Sequence, residues 1–292
     1  MYDVAIIGCG ITGTSIAYRL SKFNLKTVVI DKENDVAMGA TRANSAIVHA
    51  GYDPEEDSLM AKLNVKSVGM TYEICKKLSV PCKQVGSLVL AFSDEEAEHI
   101  QRLYERGVNN GVPGIRVLSF EEAKKIEPMI SDEVKCALYA PSAGVINPWE
   151  YALALAETAV ANGTEMLFSS EVTNIAKTEN GYVITAGGKE IEAKTVINAA
   201  GCGADKIHDM VLPHEFDITP NKGAYFLLDK SEGKRASCVV FQCPNKDGKG
   251  VLVAPTVHGN LIVGPNAVAC DAEDTSATAE DLAFVRQKAV KS

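Results

Sequence analysis

No C-x-x-C pair and no local set of cysteine and histidine at metal-ligand spacing occurs in this sequence, although it holds eight cysteines. That leaves neither a zinc site nor an iron-sulfur cluster with a local ligand set, so no metal is expected, and the scattered thiols read as reduced packing residues. Cys238 and Cys243 lie nearest each other, and nothing around them makes a redox couple. Basic runs are missing as well. With 29 Lys and Arg against 38 Asp and Glu the net charge is -9, which argues against a nucleic-acid partner while leaving room for a local basic pocket. No uninterrupted apolar stretch reaches the roughly 20 residues of a transmembrane segment. The chain opens directly in a strand-like run, without the basic and then apolar order of a signal peptide. The expected location is the cytoplasm, with peripheral contact at the inner face of a membrane left open.

What is present is a soluble globular composition, 46% hydrophobic and 23% charged over 292 residues, enough for one large or two ordinary domains. The first thirty-one residues organise the rest. Val4-Ala5-Ile6-Ile7 is an apolar run of the kind a doubly buried strand shows, and Gly8-Cys9-Gly10-Ile11-Thr12-Gly13 follows without a spacer. Helical spacing of Ile16, Ala17 and Leu20 comes next, then a β-branched strand from Lys26 to Ile30 that stops at Asp31. In such a β-α-β unit Gly8 permits the tight turn, Gly10 lets a pyrophosphate approach the backbone, and Gly13 lets the helix pack on the sheet. The helix N-terminus favours the phosphates, and Asp31 can accept from a ribose diol. This unit alone does not choose between NAD and FAD, and a glycine turn without a ligand is the competing reading.

Between Lys32 and Asp57 lies a long irregular stretch, rich in small residues and apolar in its second half, which should pack over something. Asn44, Ser45 and His49 there suit a loop lying against a planar ligand; taken alone, His49 reads as a histidine satisfied in the core. Helices are expected at Ser58 to Leu78, after the Ser93/Glu96 and Ser119/Glu122 capping boxes, and from Asn147-Pro148 to Ala161. Three short strands follow around Met166, Val172 and Val183. The strand Thr195 to Asn198 then runs into a second small-residue turn, Ala199 to Ala204, and a helix. Beyond Pro213 the pattern is antiparallel β, with Pro255 to Asn260 as a hairpin turn and Thr278 with Asp281 capping a last helix.

Together these residues resemble the D-amino-acid-oxidase-like FAD-dependent oxidoreductases, in the branch of glycerol-3-phosphate dehydrogenases and L-2-hydroxyglutarate oxidases. The carriers are Gly8-x-Gly10-x-x-Gly13 with Asp31, Ala43-Asn44-Ser45-x-x-x-His49-x-Gly51-Tyr52, Ile146-Asn147-Pro148-Trp149, Asn198-Ala199-Ala200-Gly201, Pro220-x-x-Gly223-x-Tyr225, and Pro255-Thr256-Val257-His258-Gly259-Asn260 with Gly264-Pro265. The resemblance implies an α/β fold: a Rossmann-like FAD-binding domain, parallel sheet plus β-meander, over 1–80 and 145–212. A mainly antiparallel substrate domain would span 81–144 and 213–292. It implies FAD as cofactor, held by Gly8, Gly10, Ile11, Thr12 and Gly13 at the pyrophosphate and by Asp31 and Lys32 at the ribose end. Thr41, Arg42, Asn44 and Ser45 would follow along the flavin, Val172 near the adenine, and Ala200 and Gly201 beside the pyrophosphate.

The implied reaction is oxidation of a small anionic secondary alcohol. The leading substrate is sn-glycerol 3-phosphate and the runner-up an L-2-hydroxy acid such as 2-hydroxyglutarate. His49 is the first candidate base and His258 the second, with ring orientation and turn capping as their competing roles, while Lys222 and Tyr225 are candidates to meet the substrate. Amine oxidation is the weaker reading, because the match is better to the alcohol-oxidising branch. NAD-dependent dehydrogenation is disfavoured by the Asn44 to Tyr52 segment. Family members continue past the point where this chain ends, so a C-terminal truncation, an incomplete flavin site and an inactive FAD-binding module are also expected alternatives. The electron acceptor, whether quinone, oxygen or a partner protein, is not encoded in any motif here.

Overall fold

The computed structural model describes residues 1–244 and 250–292. Its first elements are β1 (Tyr2–Ile7), α1 (Ile11–Leu20), β2 (Thr27–Ile30), β3 (Ile47–Val48), α2 (Leu59–Leu78), β4 (Cys82–Lys83), β5 (Ser87–Ala91) and α3 (Asp94–Asn109). Then come β6 (Arg116–Ser119), α4 (Phe120–Ile126), β7 (Cys136–Ala140), β8 (Gly144–Ile146), α5 (Pro148–Ala161), β9 (Glu165–Leu167), β10 (Val172–Thr178), β11 (Gly181–Ala186) and β12 (Lys189–Asn198). The last are α6 (Ala204–Asp209), β13 (Asn221–Lys222), β14 (Phe226–Leu228), β15 (Val239–Gln242), β16 (Leu252–Pro255), β17 (Leu261–Gly264), β18 (Val268–Ala269) and α7 (Ala279–Ala289).

By contacts the chain divides into residues 1–44 with 148–220 and residues 45–147 with 221–292. In the first unit a six-stranded sheet has the order β10-β11-β12-β1-β2-β9. The pairs β12-β1, β1-β2 and β2-β9 are parallel, and β10-β11-β12 is an antiparallel meander. The apolar run of β1 is explained by burial on both faces. Val4 and Ile6 join Val29 against Ala17 of α1 and Ala159 of α5, while Ala5 and Ile7 join Val28 and Ile30 against Ile175, Ile184 and Ile207. This is the period of two that puts alternate side chains on opposite faces.

The second unit is built on a seven-stranded sheet, β14-β17-β16-β15-β5-β7-β6, antiparallel except where β15 meets β5. Val89 and Ala91 face α3 through Ile100 and Leu103, and Leu88 and Leu90 face Ala123 of α4. A small sheet, β3-β8-β4, carries the 45–49 segment, because Ile47 and Val48 pair with Val145 and Gly144. By contacts residues 45–80 fall in this unit, whereas the family resemblance grouped them with the glycine loop.

Helix ends follow their caps. Ser119 with Glu122 and Thr278 with Asp281 form reciprocal boxes. At Ser93 the box is half made, since Glu96 accepts from the Phe92 N–H instead of the Ser93 N–H. The helix α1 starts at Ile11, earlier than its apolar spacing indicates, because it nucleates directly on the glycine turn. Among the described residues no helix is long and apolar enough to cross a membrane.

Candidate functional site

Backbone geometry separates the three glycines of the loop after β1. Gly8 has φ +106°, and a Cβ there would come 2.2 Å from the Ala199 carbonyl oxygen; one on Gly13 would come 1.8 Å from the Gly8 oxygen. Both positions are fixed by the chain's own packing. Gly10 differs: its Cβ would meet only the Thr41 hydroxyl, at 3.2 Å, so the space beside it is open to a ligand.

Gly10 caps α1 without a side chain, so the N–H groups of Thr12 and Gly13 have no intrahelical acceptor. The Ile11 N–H donates to the Thr41 hydroxyl at 3.0 Å, which ties the 3-10 turn Ala40–Arg42 to the first turn of α1. A helix N-terminus of this kind, with its dipole, takes a phosphate.

The carboxylate of Asp31 accepts from the Cys9 N–H through one oxygen and from the Glu33 N–H, at 2.8 Å, through the other. It thus clamps the glycine loop to the end of β2. A carboxylate has about four lone-pair sites, so the geometry leaves Asp31 able to accept further donors. Lys32 is exposed and lies 4.0 Å from Glu33. Cys9 is buried under this loop, and burial together with Asp31 and Asp35 pushes its thiol up to about 12.

Asn44 donates its amide to the Thr41 and Ala40 carbonyls at 2.8 and 3.2 Å, closing the 40–44 turn. Arg42 accepts the Trp149 indole N–H through its carbonyl at 2.8 Å, and both line a cleft of about 340 Å³ with Met38 and Leu153. Ala200 donates its N–H to the Asn198 side chain at 3.2 Å, and Gly201 has φ +57°. Val172 begins β10 at a register shift of the meander.

In the second unit Ser45 and Tyr225 share a hydroxyl–hydroxyl hydrogen bond of 2.8 Å. Burial raises the Tyr225 pKa, with the Ser45 contact opposing. The His49 ring stacks on Phe241, centroids 5.8 Å apart. His258 sits in a turn closed by the Thr256 N–H donating to the Asn260 carbonyl at 2.8 Å, and its Nε2 lies 2.9 Å from the Asn147 amide nitrogen. Lys222 is committed to Asp274 at 2.6 Å and to the Ser276 hydroxyl at 2.9 Å, and the Asp274 hydrogen bond raises its pKa. Sequence reading offered Thr41, Arg42, Ser45, Tyr225 and His258 as candidates but not the contacts that Ile11, Asn147 and Trp149 make with these segments, since nothing in local spacing encodes them.

The chain matches the family model of the FAD-dependent oxidoreductases designated DAO over residues 3–292, and it belongs to that family. It is 50% identical to a glycerol 3-phosphate dehydrogenase of Caloramator mitchellensis over 293 residues, an alignment covering 100% of this chain and 61% of that protein. It is 30% identical to the mitochondrial L-2-hydroxyglutarate dehydrogenase of Homo sapiens, covering 91% of this chain and 61% of the relative. Among solved structures, the dithionite-reduced L-alpha-glycerophosphate oxidase of Mycoplasma pneumoniae with FAD bound superposes with a TM-score of 0.92 at 30% identity, over 99% of this chain and 78% of that one. The chain therefore spans about three fifths of the length of the first two relatives.

Proposed function

We propose that this chain binds FAD and takes part in the oxidation of a small anionic secondary alcohol, sn-glycerol 3-phosphate to dihydroxyacetone phosphate. The observation that carries the cofactor is the open backbone at Gly10 beside the uncapped N–H groups of Thr12 and Gly13. The substrate rests on the 50% identity to a glycerol 3-phosphate dehydrogenase along the whole chain.

In this reading the Thr12 and Gly13 N–H groups receive pyrophosphate oxygens and Asp31 holds the ribose. The 41–45 segment, Val172, Ala200 and Gly201 complete the contacts. Bound there, FAD would supply the two-electron acceptor for the alcohol oxidation. The chain contributes position and a proton acceptor. His49, an imidazole, is the group assigned to take the hydroxyl proton. Ser45 and Tyr225 offer hydroxyls to substrate oxygens.

An L-2-hydroxy acid is the second reading, supported by the 30% identity to the human L-2-hydroxyglutarate dehydrogenase. Anaerobic addition of each substrate to the FAD-loaded protein tests both. Bleaching of the flavin bands by glycerol 3-phosphate and not by 2-hydroxyglutarate is expected. The opposite order overturns the assignment, and no retained FAD overturns the cofactor.

A further inference from the structure

Asn147 and His258 are 111 residues apart in sequence, and their side chains meet at 2.9 Å between the amide nitrogen and Nε2. Each is mounted on fixed backbone. Asn147 is buried, at 5% exposure, directly after β8, and its own N–H donates to the Pro81 carbonyl at 3.0 Å. His258 projects from a turn held three times over. The Thr256 N–H donates to the Asn260 carbonyl, the Gly259 N–H to the Thr256 carbonyl, and the Asn260 N–H to the Thr256 hydroxyl.

The chemistry of the two contacting atoms decides where the proton is. An amide nitrogen donates and cannot accept, so Nε2 must present its lone pair, and the proton of the neutral ring then sits on Nδ1. Protonating Nε2 would set one N–H against another.

We propose that Asn147 is a positioning residue that holds His258 as the neutral Nδ1–H tautomer, making His258 a hydrogen-bond donor and removing it from the role of base. Nδ1 then carries the ring proton, and Nε2 is engaged by the Asn147 amide at 2.9 Å. The proton of the substrate hydroxyl falls to His49 by elimination between the two candidates. The tautomer stands by itself, whereas the division of roles rests on the oxidation proposed above.

The test is a long-range proton–nitrogen correlation spectrum of the ¹⁵N-histidine-labelled full chain, with His258 assigned by loss of its signals in His258→Gln. The expected pattern is a protonated Nδ1 and an unprotonated Nε2. Asn147→Asp, which puts an acceptor in place of the donor, is expected to move the proton to Nε2. A wild-type ring protonated at Nε2 overturns the proposal, and so does a pattern that Asn147→Asp leaves unchanged. Should Asn147→Asp not fold, the wild-type spectrum still decides.

The roles are read separately, in FAD-loaded protein with glycerol 3-phosphate. His49→Gln is expected to lower kcat by about 10²–10⁴-fold, the range of a lost general base, and His258→Gln by less than about tenfold. The reverse order overturns the division of roles and leaves the tautomer standing. Absence of turnover in the unmutated protein overturns the division with the oxidation it rests on, again without touching the tautomer.

Discussion

The Thr41 hydroxyl accepts the backbone N–H of Ile11 at 3.0 Å and so takes the first amide of α1, thirty residues before it in sequence. Thr41 is itself nearly buried, at 9% exposure, so water replaces it poorly. Thr41→Val keeps the shape and removes the acceptor, leaving a donor unsatisfied at a cost of about 1–2 kcal/mol. Thermal unfolding is expected to show that loss, FAD binding to weaken with it, and Thr41→Ser to restore both. An unchanged melting temperature in Thr41→Val would mean the contact carries no stability.

The three loop glycines are expected to fail in two different ways when changed to alanine. Gly8→Ala and Gly13→Ala drive a Cβ to 2.2 and 1.8 Å from backbone oxygens, which cannot swing aside like a side-chain tip. Each is expected to destabilise the fold by about 3 kcal/mol or more, measured by denaturant unfolding without cofactor. Gly10→Ala meets only the Thr41 hydroxyl at 3.2 Å and is expected to melt within a few degrees of wild type. Its defect is confined to FAD affinity, weaker by about tenfold or more, or about 1.4 kcal/mol. Gly10→Ala that binds FAD normally would remove the pyrophosphate from this position.

How far the sequence anticipated these features depended on whether their cause was local. The glycine loop, the capped helices and the doubly buried β1 were legible because each follows from backbone requirements within a few residues. The half-made box at Ser93 shows the limit of such rules: Ser93 and Glu96 have the right spacing, but the carboxylate found the Phe92 N–H instead. The partners Ser45 with Tyr225 and Asn147 with His258 are 180 and 111 residues apart, so no periodicity encodes them. The family resemblance grouped residues 45–80 with the glycine loop, whereas by contacts they fall with residues 81–147 and 221–292, where β3 pairs with β8 over only two residues. Strands that short leave almost no pattern to read.

Thiol reactivity should separate the cysteines by environment. The thiolate is the nucleophile, so a raised pKa protects and a lowered one exposes. Burial pushes Cys9 and Cys243 up to about 12 and raises Cys238. Cys75, also buried, is raised by its thiol contact with Cys82, and that same contact lowers Cys82, which is half-buried on β4. Iodoacetamide near neutral pH is therefore expected to label Cys82 and the exposed Cys202 first, by peptide mass mapping. Cys9, Cys75, Cys238 and Cys243 are expected to label only on unfolding, and early labelling of Cys9 would contradict the buried loop.

Around α6 the sign of a pH effect follows from one carboxylate held by two histidines. Asp209 lies 3.1 Å from His208 Nδ1 and 2.9 Å from His214 Nδ1, while Asp217 stands 3.6 Å from the far nitrogen of His214. The Asp209 hydrogen bond raises the His214 pKa, so the imidazolium is favoured in the folded chain. A raised histidine stabilises fully below its unfolded pKa, about 6.5, and loses that contribution as pH rises through the folded value. Wild type is thus expected to gain melting temperature from pH 8 to pH 6 relative to His214→Asn. A variant with the same pH slope as wild type would show that the pair contributes nothing.

Tyr225 gives the functional counterpart. Because burial raises its pKa, the phenol stays protonated well above neutrality and reaches Ser45 as a hydroxyl at 2.8 Å. Removing it in Tyr225→Phe deletes one partner of Ser45 and leaves the ring in place. At about 1–1.5 kcal/mol for such a hydrogen bond, kcat/KM for glycerol 3-phosphate is expected to fall roughly tenfold. If Tyr225 only braces Ser45, Ser45→Ala falls as far and the double variant no further, since the two residues act as one unit. If each hydroxyl meets the substrate separately, the two losses add. A Tyr225→Phe enzyme with unchanged kcat/KM would place the substrate away from this pair altogether.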